Sequence, residues 1–109
     1  MKLNEQHCQP CAKGTPPLSQ DQLTRLLPQV PGWEADAAGK AIFRVFFFES
    51  YWEGLGFVNA VAWIAQNEKH HPDLELLYKK VRVLFTTHSV GGLSDNDFIC
   101  AAKADALLG

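Results

Sequence analysis

Three of the four histidines in this chain fall in the stretch Glu68–Asp97. Histidine is the side chain whose unperturbed pKa lets it give or take a proton near neutrality, so a cluster of His70, His71 and His88 is a candidate acid/base site. His70 and His71 are adjacent and precede Pro72, which pushes His71 out of the helical region. On an extended segment neighbouring side chains point to opposite sides, so the two have different tasks, one toward a ligand and the other orienting or contacting it from the rim. Zinc is the competing use of three histidines. The divergent directions of His70 and His71 and the absence of a helical His-x-x-x-His spacing argue against it. Cys8-Gln9-Pro10-Cys11, with His7 beside it, has the spacing of half a zinc knuckle or of a redox dithiol. No second such pair follows, and Cys100 reads as a small core residue.

The elements that must position these groups follow from caps and periodicity. Residues 1–17 are polar and rich in Pro and Gly, and read as an extension ahead of a domain spanning 18–109. Ser19 and Gln22 have capping-box spacing, Leu18 and Leu23 staple spacing, and Pro28 and Pro31 end the helix. Trp33–Asp36 and Ala41–Phe48 are strand candidates joined through Ala-Ala-Gly-Lys. The second is apolar on both faces, as expected of a central strand or of one whose outer face meets another subunit. Ser50 and Glu53 start the longest helix, running to about Asn67, and Gly54 and Gly56 in its first turns imply close packing on a sheet.

Leu74–Tyr78 and Val81–Phe85 alternate around a turn at Lys79-Lys80, predicting a hairpin. Continued regularly, its second strand places Arg82, Leu84, Thr86 and His88 on the face away from the core. Gly91-Gly92 turns the chain, and Ser94 with Asp97 caps a last helix through Leu107. The order α-β-β-α-β-β-α predicts an α+β fold, a four-stranded antiparallel sheet with the helices packed on one face. The other face is left for binding or self-association. Asp97, in the first turn of the last helix, suits the helix dipole and could also orient His88. Trp33 reads as core or as a wall for a flat ring.

A formal charge of −2, with no run of either sign, disfavours nucleic acid or a membrane surface as partner. With no apolar leader and no membrane-length run, a cytoplasmic location is expected.

The motifs E-K-H-H-P, Tyr78, Val81 and T-H-x-x-x-G-L-S-x-x-D from Thr87 to Asp97 together resemble the pterin-4a-carbinolamine dehydratase family, also known as the dimerization cofactor of a homeodomain transcription factor. The likeness extends back through AIFRVFFFESYWEGLGF to Gly32-Trp33 and covers roughly residues 19 to 107. It implies loss of water from a 4a-hydroxytetrahydropterin to give quinonoid dihydropterin, with no metal or organic cofactor. It further implies an aromatic amino-acid hydroxylase upstream and a homodimer or homotetramer. By the same resemblance His70, His71 and His88 are the catalytic residues, Pro72, Thr87, Ser89 and Val90 contact the pterin, and Trp33 and Asp97 support them. Lys69 stands where some members carry an acid. Acid and base can be distributed among the histidines in either sense. The alternative is a regulatory module that stabilises a protein partner. Two further expectations follow: Cys8 and Cys11 are dispensable, and each histidine can be removed at little cost in stability.

Overall fold

The computed structural model describes all of residues 1–109. Helix α1 (Gln20–Leu26) begins at Ser19, whose hydroxyl accepts from the Gln22 N–H while the Gln22 side chain accepts from the Ser19 N–H. Pro28 carries the chain into a single 3₁₀ turn at Leu27–Gln29. Strands β1 (Glu34–Ala35) and β2 (Ile42–Phe47) follow, the first shorter than its periodicity suggests. The Asp36 carboxylate folds the connection by accepting from the N–H groups of Lys40 and Ala41, and Gly39 takes the positive φ the turn needs.

Helix α2 (Tyr51–Glu68) is capped by Ser50, and β3 (Asp73–Leu77) and β4 (Lys80–Phe85) make a hairpin through Tyr78-Lys79, one residue earlier than expected. Ser94 caps α3 (Asp95–Ala106). All pairings in the sheet are antiparallel, in the order β1-β2-β4-β3, so the doubly apolar β2 is an interior strand.

Strand register sorts the side chains. Ile42 and Phe46 of β2 align with Phe85 and Val81 of β4, and with Val83 they are buried under α2 and α3. Leu74 and Leu76 of β3 join that face. Leu23, Leu93, Phe98 and Ala101 complete the core, and Cys100 is buried among them as expected. Gly54 lets α2 lie close to the sheet, since a Cβ there would sit 3.2 Å from Leu76 Cδ1. Gly56 makes no such approach and faces open space.

The opposite face carries Phe43, Val45 and Phe47 beside Lys80, Arg82 and Leu84, with Phe43, Val45 and Leu84 half-buried. Arg82 lies 5.0 Å above the Phe43 ring, and Phe47 is 77% exposed.

The first 17 residues do not trail from the domain. A 3₁₀ turn at Leu3–Glu5 lies against α3, and Pro17 packs over Gly92, where an added Cβ would come within 2.9 Å of it. The Leu18 N–H then donates to the Leu93 carbonyl. The polar composition of this segment hides its attachment, because the attachment is made largely through backbone groups and charged partners.

Candidate active site

Pro72 forces an extended approach to β3, so α2 must end before it. It does so at Lys69, which adopts the left-handed conformation at φ 56°, an unusual state for a residue with a side chain. The N–H groups of Lys69 and His70 both turn back to the Ala65 carbonyl, and this closure aims His70 inward. Its ring lies parallel to Phe85 at a centroid distance of 5.9 Å, and its side chain is 11% exposed.

Asp97 is the hub of the site. It is fully buried; one carboxylate oxygen accepts from His70 Nε2 at 2.6 Å, and the other from the Thr87 hydroxyl at 2.7 Å and the Ser94 N–H at 3.0 Å. Three donors converge on one carboxylate, as a buried charge requires. With a carboxylate on Nε2, that nitrogen carries a proton, and Nδ1 is the nitrogen of His70 left for other work. Asp97 keeps the capping role expected of it, but the histidine it orients is His70 and not His88, because the turn that ends α2 brings His70 to it.

His88 is not a strand residue. Strand β4 stops at Phe85, Thr87 bridges to Gly92, and His88–Val90 form a 3₁₀ turn closed by Gly91 at φ 69°. His88 is nevertheless exposed, as expected, and so is its neighbour Ser89. His71 is exposed too and approaches Gln66 at 3.4 Å. Asp73 pairs with Leu84 across the hairpin, so the His70–Pro72 entry to β3 and the Thr86–Val90 exit from β4 leave the sheet at the same end. The bonds from Asp97 to both His70 and Thr87 draw the two segments together.

A cleft of about 300 Å³ opens beside this hub, lined by Lys69, His70, Thr87 and Ser89 on one side. That is at the small end for ligand sites. Its other side is the segment Cys8–Cys11, whose spacing suggests a zinc or redox pair and not a part of the histidine site. A larger cleft of about 620 Å³ borders Arg44, Phe46 and Asp105, but no histidine lines it and Arg44 is paired to Asp105 at 3.0 Å.

Other expected residues lie outside the cleft. Trp33 is a core residue, 5% exposed, packed edge-on against Phe46 and near Phe85, with its indole N–H donating to Asp105 at 2.9 Å. It backs the Phe85 ring on which His70 lies and reaches the site only through it. Burial pushes the Asp105 carboxyl up from its ordinary range, against the Trp33 N–H and Arg44, which pull it down. Val90 is buried, and Pro72 is half-buried at the entry to β3.

Two residues anchor the far wall: Glu68, which opens the E-K-H-H-P motif without signalling this role, and Asn96, which carried no signal. Glu68 ends α2, where a negative charge opposes the helix dipole. Its carboxylate accepts from the Cys8 N–H at 2.7 Å, and meets His7 Nδ1 at 2.8 Å and Lys103 Nζ at 3.8 Å. Burial raises the Glu68 carboxyl, but the Cys8 N–H, His7 and Lys103 outweigh it and hold it below its ordinary range. Asn96 makes a reciprocal pair with the Gln9 backbone, Gln9 N–H to Oδ1 at 3.0 Å and Nδ2 to the Gln9 carbonyl at 2.7 Å. Cys8 Sγ lies 3.5 Å from Cys100 Sγ, and this contact, with burial, pushes the Cys100 thiol up.

Comparison with known proteins bears on the whole chain. The family described as pterin 4 alpha carbinolamine dehydratase matches residues 16–107. The chain belongs to that family. Proteins named provisionally as pterin-4-alpha-carbinolamine dehydratases are similar over 105 residues, 96% of this chain: one from Nitrosospira multiformis at 50% identity over 91% of its length, and one from Xanthomonas euvesicatoria at 54% over 89%. Among solved structures, a transcriptional coactivator/pterin dehydratase from Brucella melitensis superposes with a TM-score of 0.81 at 30% identity, covering 85% of this chain and 99% of that one. A pterin dehydratase-like RuBisCO assembly factor of the alpha-carboxysome shares the fold at a TM-score of 0.62 and 23% identity, covering 72% of this chain and 90% of that one. The similarity to the dehydratases spans most of the first 17 residues as well as the domain, since it takes in 105 of 109 positions.

Proposed function

We propose that this protein dehydrates a 4a-hydroxytetrahydropterin to quinonoid dihydropterin. The observation that supports the reading is the Asp97 hub, which joins His70 to Thr87 beside one cleft; their chain neighbours His71 and His88 do not line that cleft and stand exposed at the same end of the hairpin. In the reaction the N5 proton leaves to a base, the 4a-hydroxyl takes a proton from an acid and departs as water, and the N5–C4a double bond forms as the C4a–O bond breaks. His71 and His88 are exposed and exchange protons with solvent, which suits them to those two ends. His70, held through Nε2, offers Nδ1 in a fixed orientation. Ser89, Thr87 and Pro72 contact the pterin, with Val90 and Trp33 packed behind them.

Such a substrate forms when a hydroxylase oxidises its tetrahydropterin, so an aromatic amino-acid hydroxylase in the cytoplasm is the proposed supplier. The apolar outer face of the sheet supports a homodimer or homotetramer, and the name of the Brucella relative supports a second, regulatory reading in which that face meets a protein partner. The test is direct: 4a-hydroxypterin is generated in situ and its dehydration followed with and without the protein. Catalysis by the wild type, lost on replacing both His71 and His88 by Ala, is the expected result. No acceleration by the wild type overturns the reading.

A further inference from the structure

We propose that the N-terminal segment His7–Cys11 is a working wall of the pterin site and that the Gln9 side-chain amide contacts the substrate, a specificity role that rests on the dehydratase reading above. The segment is clamped to the residues on either side of the catalytic hub. Glu68, which holds the Cys8 N–H, lies two positions before His70, and Asn96, which pairs with the Gln9 backbone, immediately precedes Asp97. Cys8 adds a packed contact to Cys100, and Asn96 Nδ2 reaches Cys11 Sγ at 3.6 Å. His7, Cys8 and Cys11 engage their side chains in these attachments, whereas Gln9 is held by its backbone N–H and carbonyl alone and keeps its side chain free. Polar side chains in the cleft they complete are those of Gln9, Lys69, His70, Thr87 and Ser89, with Cys11 beside them.

Of these, the Gln9 amide, the Lys69 ammonium and the Ser89 hydroxyl make no hydrogen bond within the chain, as the bonds formed at Gln9 are to its N–H and carbonyl. A primary amide presents a donor and an acceptor side by side. The 2-amino-4-oxo edge of a pterin presents adjacent acceptor and donor atoms in the complementary sense, whereas the N5–C4a bond that reacts lies at the ring fusion, away from that edge. Gln9 therefore binds the non-reacting edge alike in ground and transition states, and its loss is felt in KM and not in kcat.

Gln9→Ala spares the backbone clamp, so the variant folds as the wild type does. Its KM for the 4a-hydroxypterin is expected to rise about 3- to 10-fold, the effect of one lost hydrogen bond, with kcat within about twofold of wild type. In the unaltered protein, saturation with an unreactive 7,8-dihydropterin is expected to slow alkylation of Cys11 by iodoacetamide. A Gln9→Ala enzyme with wild-type KM overturns the proposal while leaving the dehydratase reading standing, as does a Cys11 alkylated equally fast with the dihydropterin bound. A wild type inactive in dehydration removes the dehydratase reading itself, and the proposal with it.

Discussion

His70 differs from the other two histidines in what its removal leaves behind. Its side chain is nearly enclosed and is the partner of one oxygen of the fully buried Asp97. His70→Ala is therefore expected to lower turnover and also to destabilise by about 1–3 kcal/mol, the cost of an acceptor left buried without a donor. His71 and His88 are exposed, so their Ala variants should lower turnover while staying within about 1 kcal/mol of wild type, and removing both should be worse than removing either. Urea unfolding beside steady-state turnover separates the cases; equal stability for all three would contradict the role given to Asp97. The sequence alone suggests uniform tolerance; the structure sets His70 apart because burial at that position depends on a contact between residues 27 apart.

At the scale of elements, α2 sets the geometry through both of its ends. Gly54→Val would drive a branched side chain into Leu76 and Val81, and is expected to cost about 1–3 kcal/mol. Gly56→Ala, on the open side of the same turn, should stabilise by about 0.5–1 kcal/mol through helix propensity alone. Thermal melts of the two variants moving in the same direction would contradict this packing. At the other end Glu68 holds the N-terminal strap. Its folded pKa lies below the ordinary value of 4.5, so its contribution is complete above that value and is lost as pH falls through the lowered folded one. Hydrogen-exchange protection of the Cys8 and Gln9 amides is expected to drop over that acid range in the wild type, and to be weaker and nearly independent of pH in Glu68→Gln. The same attachment argues for a structural cost at Cys8, against the expectation that it is dispensable, since its thiol lies against Cys100 beside the core.

For the whole molecule, association is expected through the outer sheet face. Phe43, Val45, Phe47 and Leu84 form one surface on interior strands β2 and β4, which a small soluble monomer seldom leaves bare. Sedimentation at micromolar concentration is expected to show a symmetric oligomer, and Phe47→Asp to shift it toward monomer; a wild type that sediments only as monomer would contradict this. Phe47 points away from the core, so the substitution tests association without opening the interior.

Much of the architecture was legible in the residues themselves. Ser19 with Gln22, Ser50 with Glu53 and Ser94 with Asp97 mark helix starts, because an N-cap bond is local and needs only a few consecutive positions. The alternation of Val81, Val83 and Phe85 marks a buried strand face for the same reason. The motifs around His70, Pro72 and Thr87 likewise pointed to the dehydratase family that the comparisons show. What the chain in isolation left undecided involves partners far apart in sequence. Asp97 orients His70 instead of His88, Trp33 lies behind Phe85, and Cys8 and Gln9 are tied to Glu68 and Asn96. No periodicity or cap encodes such pairs; they exist only once α2, α3 and the strap have packed at the end of the β3–β4 hairpin.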